Sequence, residues 1–301
     1  MYCRHAVAEV VLGALLTLAA SCVRADIRVV DDSGAEVVVR AAAKRIVSLA
    51  PHATELLFAA GAGERIVGTT EFSDYPAAAR KIVRVGSSSL LDMDRVVALK
   101  PDLIIAWWHG SSQNQQEKLK VLGVPIFQSE PRTLDDIPRA LLELGALAGT
   151  EDEARRAAGA FIARRDALRA RYAKASPVTL FWQVWARPLL TVNGHHLISD
   201  VVRLCAGVNV FDRLSPLVPA VSMEAVVAAD PEAIVTTRTD ASANQEEGLA
   251  EWRALPHLRA TMHRNLIVLD ADTIHRQSPR ILDGADALCE RLQDVRMRRP
   301  R

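Results

Sequence analysis

The stretch Leu91–Trp108, LDMDRVVALKPDLIIAWW, reads as a short helix, a Lys-Pro-Asp break and a buried strand. Residues 221–236 repeat it as VSMEAVVAADPEAIVT. At a constant offset of 130 residues, Met93, Val96, Val97, Ala98, Pro101 and Ile104 recur as Met223, Val226, Val227, Ala228, Pro231 and Ile234. An internal echo at this separation points to two lobes built on one plan.

The rest of the chain falls into place around the two copies. Residues 27–39 are two β-rich runs around Asp-Asp-Ser-Gly, a hairpin signal. Residues 45–49 form a short buried strand, Pro51 opens a helix that Gly61 closes, and residues 64–69 give a second strand. The loop EFSDYP follows, with a further short strand expected at residues 81–85. Beyond the first copy come a helix at 115–122, a strand at 124–128 and an amphipathic helix at 134–148. This alternation predicts an α/β fold with parallel sheets and helices on their faces. Residues 151–175 form one long Ala- and Arg-rich helical pattern, read as a stiff strut between the halves or as an ordinary surface helix. The second half alternates in the same way, with a strand at 178–183 and Ser222 capping the echoed helix. A polar loop is expected at 240–247, then a strand at 265–270 and a closing helix from Ser278-Pro279 to about Val295. The expected organisation is a signal segment at 1–25, a hairpin at 26–44, an N-terminal lobe at 45–150, the linking helix, a C-terminal lobe at 176–295 and a basic, frayed tail at 296–301.

With 301 residues, 50% of them hydrophobic, the chain can build one large or two medium cores. The net charge of +1 and the absence of a basic stripe argue against nucleic acid as a partner. Arg4 and His5 precede an apolar run from Val10 to Ala20, interrupted upstream only by Glu9. Val23-Arg24-Ala25 then offers a cleavage site with a mature start at Asp26. Ala19-Ala20-Ser21-Cys22 offers a second reading, a lipoprotein box with Cys22 lipidated. Both readings export the chain, and the apolar run is too short to span a bilayer. Cys205 and Cys289 then remain. In an oxidising compartment a bridge is favoured over two buried thiols, and it would constrain the unfolded chain by about 4 kcal/mol.

Enzyme signatures are missing. Gly61-Ala62-Gly63 leads into a strand, whereas a dinucleotide fingerprint follows one and opens a helix. No phosphate loop, nucleophile elbow or His-Glu-x-x-His occurs. His195 and His196 are adjacent and cannot clasp one metal from a helix, and His52, His109, His257, His263 and His275 are dispersed. The expectation is a protein that is not an enzyme and holds no resident metal or cofactor.

Open parallel sheets bind ligands beyond the carboxyl ends of their strands. That rule selects His52, Phe72, Trp107, Trp108, Trp185, Asp272, His275 and Arg276, with His109, Thr237 and Arg238 beside them. Three of the 5 Trp residues fall there, and flat rings beside a few polar groups suit a large, flat, partly apolar ligand. Each Trp also fits as a cap on its own core, and His52 as a helix-end hydrogen-bonding group. Glu55 and Glu224 each lie in the first turn of a helix, where the dipole favours a carboxylate. They read either as local stabilisers or as one anionic knob per lobe on a docking face.

The runs RIVSLAPHATELLFAAG, SDYP, RVVALKPDLIIAW, Cys205-Ala-Gly-Val-Asn-Val-Phe, VSMEAVV and RQSPRIL resemble the periplasmic receptors of ABC importers for cobalamin, haem and iron–siderophore complexes, the cobalamin receptors above all. The similarity spans about residues 45–292. It implies two Rossmann-like lobes bridged by a rigid helix, a monomer, and a ligand between the lobes with little hinge closure. It implies a cobalamin or related corrinoid as the transported ligand, with haem or a ferric siderophore as the alternative. Glu55 and Glu224 match the glutamates that bind permease arginines, and Cys205 and Cys289 match the cobalamin receptor's disulfide. Asp272 and Arg276 match groups near the corrin periphery, and Trp107 matches one aromatic wall. Phe72 stands where those receptors have Tyr. Ser88 and Val218 stand near positions where they have Trp, and Val184 stands near an aromatic that Trp185 is placed to replace. The aromatic cage is therefore thinner, while its polar end persists. His52 and His275 are the candidates for an axial ligand.

Overall fold

The architecture is that of a computed structural model, which describes residues 26–87, 90–110, 112–238 and 245–300. The expected signal segment, Cys22 and Ser88 lie outside the described residues. The strands are β1 (Ile27–Val30), β2 (Glu36–Val39), β3 (Ile46–Ser48), β4 (Ile66–Thr69), β5 (Leu103–Trp107), β6 (Ile126–Ser129), β7 (Val178–Trp182), β8 (Gly207–Asn209), β9 (Ala233–Arg238) and β10 (Leu266–Asp270). The helices are α1 (Pro51–Ala59), α2 (Met93–Ala98), α3 (Gln113–Val121), α4 (Asp136–Ala148), α5 (Glu151–Tyr172), α6 (Leu197–Leu204), α7 (Met223–Ala229), α8 (Gln245–Arg253), α9 (Arg259–Met262), α10 (Ala271–Ile274) and α11 (Ile281–Met297).

One four-stranded sheet has the order β4-β3-β5-β6 and the other β10-β9-β7-β8, and every pairing within them is parallel. Counted from the first strand of each half, both orders are 2-1-3-4. The echo in sequence is therefore an echo in topology. In each sheet the order reverses between the first and third strands, β3 and β5 or β7 and β9.

Both faces of each sheet are covered, which explains the unbroken apolar runs of β5 and β9. Leu103 and Ile105 of β5 face a large core shared with α1 and α4, while Ile104 and Ala106 face a smaller one with Val96 and Leu119. In the second half Ile234 packs with Val226, Trp252 and Leu258. The larger core is continuous through both halves, and α5 is why. Its Ala154, Ala158, Phe161, Leu168 and Tyr172 form one buried stripe within it. The helix packs as part of the body and not as a free-standing strut. Its flank is tied to α11, where Arg164 meets Asp283 at 2.6 Å and Asp286 at 2.5 Å.

Four details differ from the sequence reading. The β1–β2 turn is built into the N-terminal lobe: Asp31 accepts the Gln128 N–H at 3.0 Å, and Arg139 meets Asp32 at 2.6 Å. Residues 81–85 make only one bridge, Arg84 to Thr69. A helix begins at Gln245, within the expected polar loop. The basic tail is docked up to Arg299: Arg296 donates to the Ser176 and Cys205 carbonyls at 2.8 and 2.7 Å, and Arg299 meets Glu232 at 2.7 Å. Those arginines find a carboxylate and free carbonyls, so that part of the end does not fray. No helix of the described residues is long and apolar enough to cross a membrane.

Cys205 at the end of α6 and Cys289 within α11 form a disulfide closing a separation of 84 residues. Both are fully buried in the larger core. Replacing both by Ser is expected to lower unfolding stability by about 4 kcal/mol. Urea denaturation checks this, and a loss below about 1 kcal/mol would show that packing alone holds α6 on α11.

Candidate ligand-binding site

The carboxyl ends of β3 and β5 adjoin at the point where strand order reverses, the expected place for a ligand. Pro51 starts α1 directly after β3, so His52 sits in the first turn beside β5. Its ring meets Trp107 edge-on at 5.6 Å, and its Nε2 lies 3.2 Å from Ser129 Oγ at the end of β6. His52 is 3% exposed, and burial pushes its pKa down to about 4, with the charge of Arg276 acting in the same direction. It is a buried, neutral floor group. Trp107 is half-buried and its Nε1–H has no partner; Thr70 and Ser73, at the end of β4, also hold buried hydroxyls without one. Unsatisfied polar atoms after two strands of the sheet, β4 and β5, mark a place that a ligand can complete.

Phe72 is 73% exposed and has φ 61°, in the left-handed region that an aromatic residue rarely adopts. Strain of this kind clusters at functional loops. Trp108 is committed locally: Arg132 lies 5.3 Å over its ring, and His109 packs against it while bonding Glu130. Arg132 and Glu130, absent from the sequence reading, complete this rim cluster, and only its position after β5 and β6 would have flagged it.

In the C-terminal lobe Trp185 follows β7 in a short loop closed by Leu190 N–H to the Trp185 carbonyl at 2.9 Å. The ring is 60% exposed, and its Nε1 donates to the Arg187 carbonyl at 2.9 Å. A flat apolar face is thus presented with its polar edge already satisfied. After β10, Asp270 caps α10 and holds Asp272 at its first turn. Arg276 reaches Asp272 at 3.0 Å and lies 3.9 Å from Glu55. His275 is open to solvent, with its Nε2 at 3.4 Å from Thr237 at the end of β9. Protein crowds the rest of its ring, and with Arg276 alongside its pKa falls to about 4. Of the two candidate axial ligands, His275 is the one presented outward. Among the described residues no group of three or more His, Cys, Asp or Glu could hold a metal ion.

The two expected docking residues part company. Glu224, in the first turn of α7, is exposed, and the helix-start N–H together with Ser222 keeps its carboxylate below the usual range. Glu55 is 5% exposed. It accepts the Ser278 hydroxyl at 2.5 Å and Arg280 at 3.0 Å, both from the other lobe. A carboxylate enclosed in this way cannot meet a protein partner, so the structure removes Glu55 from the docking face. The residue equivalent to Glu224 through the 130-residue offset is Asp94. It is exposed in the first turn of α2, whose cap Asp92 plays the part of Ser222.

The chain belongs to the periplasmic binding protein family, which matches residues 46–273. A vitamin B12-binding protein of Vibrio parahaemolyticus is 36% identical over 258 residues, 85% of this chain and 92% of that one. The vitamin B12-binding protein of Yersinia pestis is 39% identical over 254 residues, 84% of this chain and 88% of that one. The crystal structure of the periplasmic vitamin B12-binding protein BtuF of Vibrio cholerae superimposes with a TM-score of 0.76 at 35% identity, covering 84% and 98% of the two chains. The periplasmic haem-binding protein RhuT of Roseiflexus, at 21% identity and a TM-score of 0.73, shares the fold. Family membership makes this chain a periplasmic binding component with a small-molecule ligand and a membrane permease as partner, and not an enzyme.

The lowered pKa of His52 has a consequence for stability. Between pH 6.5 and about 4 the unfolded chain takes up a proton on His52 that the folded chain refuses. Its contribution is therefore intact above pH 6.5 and is lost as pH falls, at about 1.4 kcal/mol per pH unit. Urea midpoints from pH 7 to 5 should fall less steeply for His52→Gln than for the native protein, and parallel curves would contradict the assignment.

Proposed function

We propose that this protein captures cobalamin or a related corrinoid between its lobes and delivers it to an ABC permease. The observation that carries this reading is the charge balance of the polar wall. Arg276 stands between Asp272 and Glu55, and Arg280 also faces Glu55. With the histidines neutral, two cations meet two anions. Such a wall has no surplus positive charge for the propionates of haem or for an anionic siderophore. It offers fixed donors and acceptors to a neutral rim of amides. Phe72, Trp107 and Trp185 supply the apolar faces. The identity to vitamin B12-binding proteins over most of the chain supports the same ligand. Haem or a ferric siderophore is the second reading, and it rests on the outward-facing His275.

Docking falls to Asp94 and Glu224, one on each copy of the repeated helix. Export uses the N-terminal segment, and an intact mass of the secreted protein separates cleavage before Asp26 from lipidation at Cys22.

Calorimetry with cyanocobalamin should give one site per chain, and Trp185→Ala should weaken binding about tenfold, the scale of one lost aromatic stack. No binding at tens of micromolar protein would reject the corrinoid, and a Soret shift with haemin that His275→Ala abolishes would favour haem.

The double variant Asp94→Ala with Glu224→Ala should bind cyanocobalamin as the native protein does, yet fail to support uptake by permease in vesicles. An equal loss of affinity and uptake would remove both residues from docking.

A further inference from the structure

Glu55 leaves the docking face, and what it does instead follows from its partners. It lies on α1 of the N-terminal lobe. Its Oε2 accepts the Ser278 hydroxyl at 2.5 Å, its Oε1 accepts Arg280 Nη1 at 3.0 Å, and Arg276 Nε is 3.9 Å away. These partners are more than 220 residues distant in sequence and belong to the C-terminal lobe. Arg280 returns the contact, its guanidinium lying 3.9 Å from the ring centre of Tyr75 in the N-terminal lobe. Ser278 is wholly buried. The segment carrying these groups is fixed to its own lobe by Ala271, Ile274 and Ile281, all buried. The same segment carries Asp272, His275 and Arg276, the polar wall of the candidate site.

We propose that Glu55 is the positioning residue of an inter-lobe clasp, which sets the separation of the lobes at the ligand face and holds Arg276 toward the ligand. This rests on the inter-lobe face being the binding site. A carboxylate without water is stable only if its partners stay in place. Rotation of one lobe away from the other would leave Glu55 buried and unpaired, or would require it to be rehydrated together with the half-buried Arg280. Directional bonds between charges also fix an angle, which apolar contact does not. The lobes are joined elsewhere by α5 and by the Leu134 N–H to Asp200 at 2.8 Å. The clasp is the tie that shares its chain segment with the wall.

The test uses the exported full-length protein with nitroxide labels at Lys120→Cys and Arg253→Cys, exposed positions in opposite lobes. Pulsed electron resonance reads the inter-lobe distance without ligand, and calorimetry reads cyanocobalamin affinity. Glu55→Gln and Arg280→Met, checked for folding by circular dichroism, should each broaden the distance distribution and weaken binding roughly tenfold. Their combination should add little to either alone, because both break one contact. Arg280→Met tests the contact from the other lobe should Glu55→Gln fail to fold. Native distances with native affinity overturn the clasp. Weaker binding with native distances also overturns it, leaving Glu55 as a local support for Arg276. Broadened distances with native affinity overturn the positioning of the ligand wall. Absence of cyanocobalamin binding by the native protein rejects the ligand assignment, and the distance measurement still decides the clasp.

Discussion

Parallel strands cannot be joined by a tight turn, and from that constraint the rest of the molecule follows. Each strand must return through a crossover, so the segments leaving the carboxyl ends collect on one edge of the sheet. In this chain they carry His52, Phe72, Trp107, Trp185 and Asp272. The two sheets have the same strand order, and the buried stripe of α5 belongs to a core running through both. Packing at the back therefore fixes how the two loop-bearing edges meet. Their meeting point is visible in the Glu55 contacts, which join the start of α1 to the segment after β10.

Placing a charge at that point is costly, since burial raises the pKa of Glu55 against the help of Ser278, Arg280 and Arg276. An apolar pair of similar volume can be as stable as a buried ion pair. What an apolar pair lacks is direction. Glu55 receives two bonds from groups on a segment that also holds Arg276, and Arg276 shares its own charge with Asp272. The geometry of the junction and the electrostatics of the polar wall are thus properties of one cluster.

The sequence carried the architecture because the architecture is repeated. The 130-residue echo, the period of most of the strands and the Ala-rich α5 all depend on local composition, and these appear at the positions that the sequence predicts. The attachments of the basic tail and the hairpin are not legible in the sequence, because Arg296, Arg299 and Asp31 find partners far away in the chain. Glu55 is ambiguous in the sequence for a more instructive reason. A first-turn glutamate looks alike whether it faces water or a neighbouring lobe. Two signals were nevertheless present. Glu55 is the lone charge in the largely apolar run ATELLFAAG, as suits a buried carboxylate, and the echo itself aligns Glu224 with Asp94. Among the candidate ligand residues, the aromatic ones were legible from the strand-end rule. Their exposure was not: Trp108 is engaged by Arg132, while Trp185 is open.

The two copies of the echo agree in their helices and diverge at their strand ends. The strand ends differ, with Trp107 and Trp108 on one side and Thr237 and Arg238 on the other, as expected of two different walls around one ligand. The helices before them agree in detail. Val96 and Val226 are buried, Val97 is 53% exposed and Val227 44%. Asp94 and Glu224 are both exposed at the same helical position. Their neighbours differ in sequence yet balance in charge. In α2 the cap is Asp92 and the residue after Asp94 is Arg95, and these two pair at 3.4 Å. In α7 the corresponding residues are Ser222 and Ala225, both uncharged. Each helix start therefore presents a net charge of one carboxylate beside one exposed valine. Matched surfaces of this kind suit a partner whose own sockets are related by a two-fold axis.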